Sequence, residues 1–120
     1  MATKSSIFIL FIFLFSISPF QTISQGIQWQ TGSFESILNK AKTQKKLIYV
    51  DIYTTWCTPC KQMDAEVFTN ANVGKIFNDN FINYKIDGEK GEGKDLVEYF
   101  ELESYPTSMF IYGDWNVIQK

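Results

Sequence analysis

The chain has 120 residues, 45% of them hydrophobic, and a formal net charge of -2. That is enough for one small domain, and the missing basic excess argues against a nucleic-acid or anionic-membrane binder, because those partners call for a basic face. It holds two cysteines and no histidine, too few ligands for a closed four-coordinate zinc site within one chain.

Residues 1–24 read as a secretory leader. Lys4 supplies the positive start, residues 7–17 an apolar core broken only by Ser16, and Thr22, Ile23 and Ser24 a small-residue cleavage site. The core is too short for a membrane span of about 20 residues, although an uncleaved leader would anchor the domain at a membrane. No cysteine lies near the leader's end to take a lipid there. Residues 25–120 are then the mature domain, exported to a periplasmic or extracellular space.

Residues 26–30 fit a short first strand with Ile27 and Trp29 alternating inward. Ser33 is placed to cap a helix over 34–44, whose apolar stripe is Phe34, Ile37, Leu38 and Ala41. Lys40, Lys42, Lys45 and Lys46 fall on the solvated face and end of that helix. Residues 47–53 have the near-continuous hydrophobicity of a strand covered on both faces, and only Asp51 breaks it. A carboxylate buried there is costly as an anion, so it calls for a raised pKa or a specific partner; the alternative is a solvated strand end.

That strand runs into Trp56-Cys57-Thr58-Pro59-Cys60-Lys61, which contains both cysteines. Two residues between cysteines let one thiolate attack a disulfide and its neighbour resolve the mixed disulfide. Pro59 suits the first turn of a helix, and residues 61–67 continue with helix formers. Cys57 is therefore expected at a helix N-terminus, where unpaired N–H groups and the macrodipole lower a thiol's pKa below its usual ~8.5; it is the candidate nucleophile. Cys60, one turn in, is expected to be the more buried thiol, reacting second. Trp56 offers a flat apolar contact to an incoming peptide.

Beyond the motif, Asn72 is placed to cap a helix with Val73, Ile76 and Phe77 inward, and residues 81–87 read as a strand. Residues 88–93 form a glycine-rich loop without the ligand order of a calcium site. A helix over 94–100 with Leu96, Val97 and Phe100 apolar precedes Tyr105-Pro106, a strand over 107–112, a turn over 113–116 and a last strand over 117–120.

The run from Val50 to Lys61 resembles the active-site region of thioredoxins, and Tyr105-Pro106-Thr107 resembles their cis-proline loop. Within that superfamily, residues 33–46 and Val67, Phe68 and Val73 are most similar to secreted thioredoxin-like domains such as the C-terminal domain of the bacterial transmembrane disulfide reductase. The resemblance implies an α/β, three-layer thioredoxin fold with a mixed central sheet, here without the family's C-terminal helix. It implies that Asp51 lies beneath Cys60 and accepts its proton, through water, during resolution. It implies a cis bond that sets the Tyr105 backbone opposite Cys57, free to pair with an extended substrate. A lysine near the buried acid is common in the family; Asn83 aligns with it, and Lys85 lies two residues along on the same face.

The expected activity is exported thiol-disulfide exchange, as a disulfide reductase or electron carrier, with oxidase or isomerase activity as the alternative direction. Cys57, Cys60 and Asp51 are the candidate catalytic residues, and Trp56, Pro59, Tyr105 and Pro106 the substrate-binding ones. Neither metal nor cofactor is expected. The partners are protein disulfide or dithiol substrates and an upstream membrane or soluble electron donor. Two rival classes are a non-catalytic peptide-binding platform and metal binding between paired motifs of two chains.

Overall fold

The computed structural model describes residues 25–120, so the expected leader over 1–24 lies outside the described residues. The first helix, α1 (Phe34–Gln44), begins where Ser33 turns extended and its Oγ accepts a hydrogen bond from the Ser36 N–H at 3.2 Å. One of the helix's orphan donors is thereby satisfied. Its far end closes at Lys45, left-handed at φ 53°, whose N–H bonds back to the Ala41 and Lys42 carbonyls. The chain then enters β1 (Leu47–Tyr53) and the motif helix α2 (Thr58–Met63), which continues as a π-helical turn (Asp64–Phe68). After these come α3 (Ala71–Asn80), β2 (Phe81–Asp87), α4 (Glu92–Tyr99), β3 (Thr107–Ile111) and β4 (Val117–Gln119).

The four strands form one sheet in the order β2-β1-β3-β4. β1 runs parallel to β2 and antiparallel to β3, which pairs antiparallel with β4, so the sheet is mixed. β1 alternates between two covered faces. Ile48, Val50 and Ile52 meet α1 and α4 through Phe34, Ile37, Leu38, Leu96 and Phe100, together with Met109 and Ile111 of β3. Each such fully buried aliphatic side chain stabilises the fold by about 1.5–3 kcal/mol relative to an exposed position. Tyr49 faces the other way, onto an aromatic layer of Phe68, Trp29, Phe77 and Phe110. Helices on both faces of a mixed sheet make the three-layer thioredoxin-like architecture.

Three local expectations are corrected. Residues 26–30 make no strand; a single bridge joins Gln30 to Tyr84. Their backbone donors go elsewhere, Ile27 N–H to the Phe68 carbonyl and Gln28 N–H to Asn78 Oδ1. The segment is pulled off the ladder because it passes against α3 at Gly74, where a Cβ would lie 2.2 Å from the Gln25 carbonyl oxygen. Second, α3 is capped by Asn70 rather than Asn72: Asn70 is extended, and its Oδ1 accepts from the N–H groups of Asn72 and Val73. Third, Ile76 is exposed, while Val73 and Phe77, four residues apart, carry the inward face.

Candidate active site

Cys57 and Cys60 are joined by a disulfide at the start of α2. Cys57 is the N-cap: its backbone is extended, and its Sγ accepts a hydrogen bond from the Cys60 N–H at 3.2 Å. Pro59 sits in the first turn, where a missing N–H costs no intrahelical bond. The expected difference in burial is absent, since Cys57 is 2% exposed and Cys60 3%. The disulfide holds the Cys57 side chain back over the first turn beside Cys60, where its Sγ also accepts the Cys60 N–H, instead of leaving it pointing outward.

Trp56, next to Cys57, is 63% exposed. Its ring stands edge-to-face on Tyr105, centroids 6.1 Å apart. The Tyr105–Pro106 peptide bond is cis, as the resemblance implied. Thr107 then opens β3, so the loop is fixed at the end of the strand adjacent to β1.

Asp51 lies in the middle of β1 and is 1% exposed, so the solvated strand end is ruled out. Burial, only partly offset by the charge of Lys85, pushes its pKa up to about 6. Lys85 is its register partner on β2, with Nζ 3.5 Å from Asp51 Oδ2. The same ammonium donates to Asp64 Oδ1 on the helical run that contains Cys60. It also lies 4.9 Å from the centroid of the Tyr53 ring, within cation–π range. Lys85 therefore ties the buried acid to the motif helix. Asp51 Oδ1 has no hydrogen-bond partner among the described residues. A cleft of about 430 Å3, lined in part by Trp29, Asp64, Phe68 and Lys85, opens beside the ion pair.

Asn83, which aligned with the family's lysine, is buried on the same face but spends its amide on Asn78 Oδ1. The cation comes from Lys85 instead. Sequence reasoning left that role unassigned and missed Asp64 altogether. A signal for Lys85 was present: the runs 47–53 and 81–87 are equally long, and laying them side by side in parallel sets Asp51 against Lys85. On the antiparallel side, Ser108 is the register partner of Asp51, and its Oγ lies 3.0 Å from the Tyr49 hydroxyl. Burial pushes the Tyr49 phenol up to about 12, so it stays neutral beside the acid.

No group of three or more cysteine, aspartate or glutamate side chains that could hold a metal ion occurs among the described residues. The arrangement can carry two-electron chemistry on sulfur, and the strand that leads into the motif carries one buried titratable carboxyl.

Comparison with known proteins gives the family. The model of the Thioredox_DsbH family, described as "Protein of unknown function, DUF255", matches residues 15–116. Over 66 residues the chain is 36% identical to Thioredoxin-1 of Drosophila melanogaster, covering 55% of this chain and 57% of that protein. The chain thus spans a little over half the length of that curated relative. The solution structure of a candidate disulphide-isomerase from Bacteroides thetaiotaomicron is 40% identical, with a TM-score of 0.70 over 78% of each chain. The C-terminal domain of Neisseria meningitidis DsbD in its oxidised form, at 19% identity, is alike in fold alone, with a TM-score of 0.59 over 78% of this chain and 81% of that one.

Proposed function

This chain belongs to the Thioredox_DsbH family of thioredoxin-like proteins, and from that premise we propose that it is an exported thiol-disulfide oxidoreductase that reduces protein disulfides. The observation that carries the reading is the Cys57–Cys60 disulfide at the start of the motif helix, on a fold that also supplies a cis-proline loop and a buried acid.

In the reduced protein the Cys57 thiolate is favoured by the N–H groups at the helix start, one of which already points at its sulfur. It attacks one sulfur of a substrate disulfide; that S–S bond breaks, and the first substrate sulfur leaves as a thiolate that takes a proton from solvent. The Cys60 thiol then gives its proton, through water, to Asp51, whose pKa of about 6 suits a base near neutral pH. Its thiolate attacks Cys57 Sγ, the mixed disulfide breaks, the second substrate sulfur leaves as a thiolate that takes a proton from solvent, and the Cys57–Cys60 disulfide remains. Two electrons have passed to the substrate, and a membrane or soluble donor must return two. Trp56, Pro59, Tyr105 and Pro106 form the substrate-facing surface, on which an extended segment pairs with the Tyr105 backbone. Residues 1–24 direct export, leaving 25–120 as the working domain.

The 40% identity to a candidate disulphide-isomerase favours isomerisation as the second reading. Insulin reduction by the purified protein with a dithiol donor tests the activity: turnover is expected, and a protein that binds peptide without turnover would be a passive platform. Scrambled-disulfide refolding separates the two readings, since an isomerase restores native pairing and a reductase leaves thiols.

A further inference from the structure

Two hydroxyls and the buried carboxyl share one face of the sheet. Tyr49 and Asp51, two residues apart on β1, project to the same side, and Ser108 of β3 is the register partner of Asp51. Directly opposed residues hold their Cβ atoms about 4.5–5.5 Å apart, so Ser108 is the acid's neighbour across β3 as Lys85 is across β2. Tyr49 and Ser108 each carry one O–H, and a single bond of 3.0 Å joins them. The Tyr49 side chain is buried, and that bond is the one its hydroxyl makes among the described residues. Burial, with a smaller contribution from the Asp51 charge, keeps the phenol protonated, so Tyr49 is the donor. The serine is left with a free O–H. Across the ladder, Asp51 Oδ1 is a buried acceptor with no hydrogen-bond partner among the described residues, since Lys85 lies at Oδ2. A spare donor and a spare acceptor thus occupy the two opposed positions of one ladder pair, and Ser108, only half-buried, is open to water.

We propose that Ser108, oriented by Tyr49, donates through one water to Asp51 Oδ1 and is the positioning residue that keeps this carboxyl ionised, ready to take the Cys60 proton. The assignment rests on the oxidoreductase reading and deepens it. A hydrogen bond to the carboxylate favours that form over the neutral acid. Lys85 cannot do this alone, because its ammonium is divided between Asp51 and Asp64. The charged and titratable groups around the acid are Lys85 of β2, Asp64 of the π-helical turn and Tyr49 of its own strand. β3 contributes the neutral serine, and α3 contributes Phe77 to this face. In the resolving step the Cys60 thiol loses its proton through water to Asp51, which becomes neutral, and Cys60 keeps the electron pair as a thiolate. Ser108 exchanges no proton and acts through Asp51.

The test follows the Asp51 carboxyl by 13C NMR in the oxidised protein, its resonance assigned through Asp51→Asn. The titration midpoint, about 6 in the wild type, should rise by about one pH unit in Ser108→Ala, the loss of one hydrogen bond to a charged group. Ser108→Thr keeps the hydroxyl and should return it. Tyr49→Phe should raise the midpoint by less, since the serine keeps its O–H but loses the bond that aims it. A fall in Tyr49→Phe would mean that the serine had been donating to the tyrosine, and overturns the assignment. In stopped flow, Ser108→Ala should slow resolution of the mixed disulfide about fivefold at pH 6 and hardly at all at pH 8, because a rise of one pH unit depletes the base only near its midpoint. On the Asp51→Asn background it should slow resolution no further. A carboxyl midpoint that Ser108→Ala leaves in place, or equal slowing at both pH values, overturns the assignment alone. A wild-type protein that forms no mixed disulfide overturns the oxidoreductase reading instead, and the carboxyl titration still decides the contact with Ser108.

Discussion

Lys85 stands directly across the parallel ladder from Asp51, yet its ammonium is shared: Nζ lies 3.5 Å from Asp51 Oδ2 and donates at the same time to Asp64 on the motif helix. Asp51 is thus a buried acid with half of a counter-ion. Its pKa therefore rises in spite of the cation, burial outweighing the attraction.

The rise sets a pH dependence. The carboxyl titrates at about 6 in the folded protein, against 3.8 as the unperturbed value. Between those values the folded state binds more protons than the unfolded one, so stability falls as pH rises through this window. The contribution is fully present below pH 3.8 and lost above about 6; the gap between the two values corresponds to about 3 kcal/mol. Asp51→Asn removes the ionisation. It should leave stability nearly unchanged at pH 4 and raise it at pH 8 by an amount on the order of 3 kcal/mol, read from denaturant melts of the oxidised protein. An Asp51→Asn effect that is the same at both pH values would contradict this account.

The same substitution bears on kinetics. With no base for Cys60, resolution of the mixed disulfide should slow while the first attack by Cys57 stays intact. Stopped-flow exchange with a small disulfide separates the two phases. Equal slowing of both phases would mean that Asp51 acts on Cys57 as well.

Lys85→Met keeps an unbranched apolar side chain but deletes the ammonium, which lies over the rings of Trp29, Tyr53 and Phe68. Asp51 then has no cation, so its pKa should climb beyond about 6, and the fold should lose up to about 3 kcal/mol at pH 8, the limit set by protonating the acid there instead. Much of that loss should vanish at pH 4. The double variant Asp51→Asn with Lys85→Met should recover most of it at pH 8, since no buried charge remains uncompensated. A double variant as unstable as Lys85→Met alone would show that the cation–π contacts, and not the ion pair, carry the effect.

Much of this was legible in the sequence, for local reasons. Ser33 marked the start of α1 because capping is decided within four residues, and Asp51 declared itself as the single break in an apolar run. The cis Tyr105–Pro106 bond came from the family resemblance, against the ordinary preference of X-Pro bonds. What the sequence concealed depends on distant packing. Asn83 and Lys85 share a face by alternation, and only the register of β2 against β1 decides which reaches Asp51. Asn70 and Asn72 are both fit to cap; the π-helical turn over Asp64–Phe68 determines where the next helix begins. The equal burial of the two cysteines follows from a side chain turning back on its own helix, which no periodicity records.

The export proposal concerns residues 1–24. Mass spectrometry of protein from its native host should find Gln25 or a near neighbour as the first residue. An intact leader on membrane-bound protein would mean an anchor instead.

The cysteines should differ in role despite equal burial. Cys57→Ser should abolish exchange. Cys60→Ser should keep attack but lose resolution, so mixed disulfides with substrate proteins should accumulate on non-reducing gels and identify those substrates by mass. Trapping by Cys57→Ser and not by Cys60→Ser would invert the roles.

The most direct test of the whole account is a redox titration of Cys57–Cys60 against a dithiol buffer, followed by alkylation and mass. A reductase should show a reversible two-electron transition near the ~-270 mV of thioredoxin. A transition near ~-120 mV, the value of a strong oxidant, would reverse the proposed direction, and no reversible transition at all would contradict a redox role for the pair.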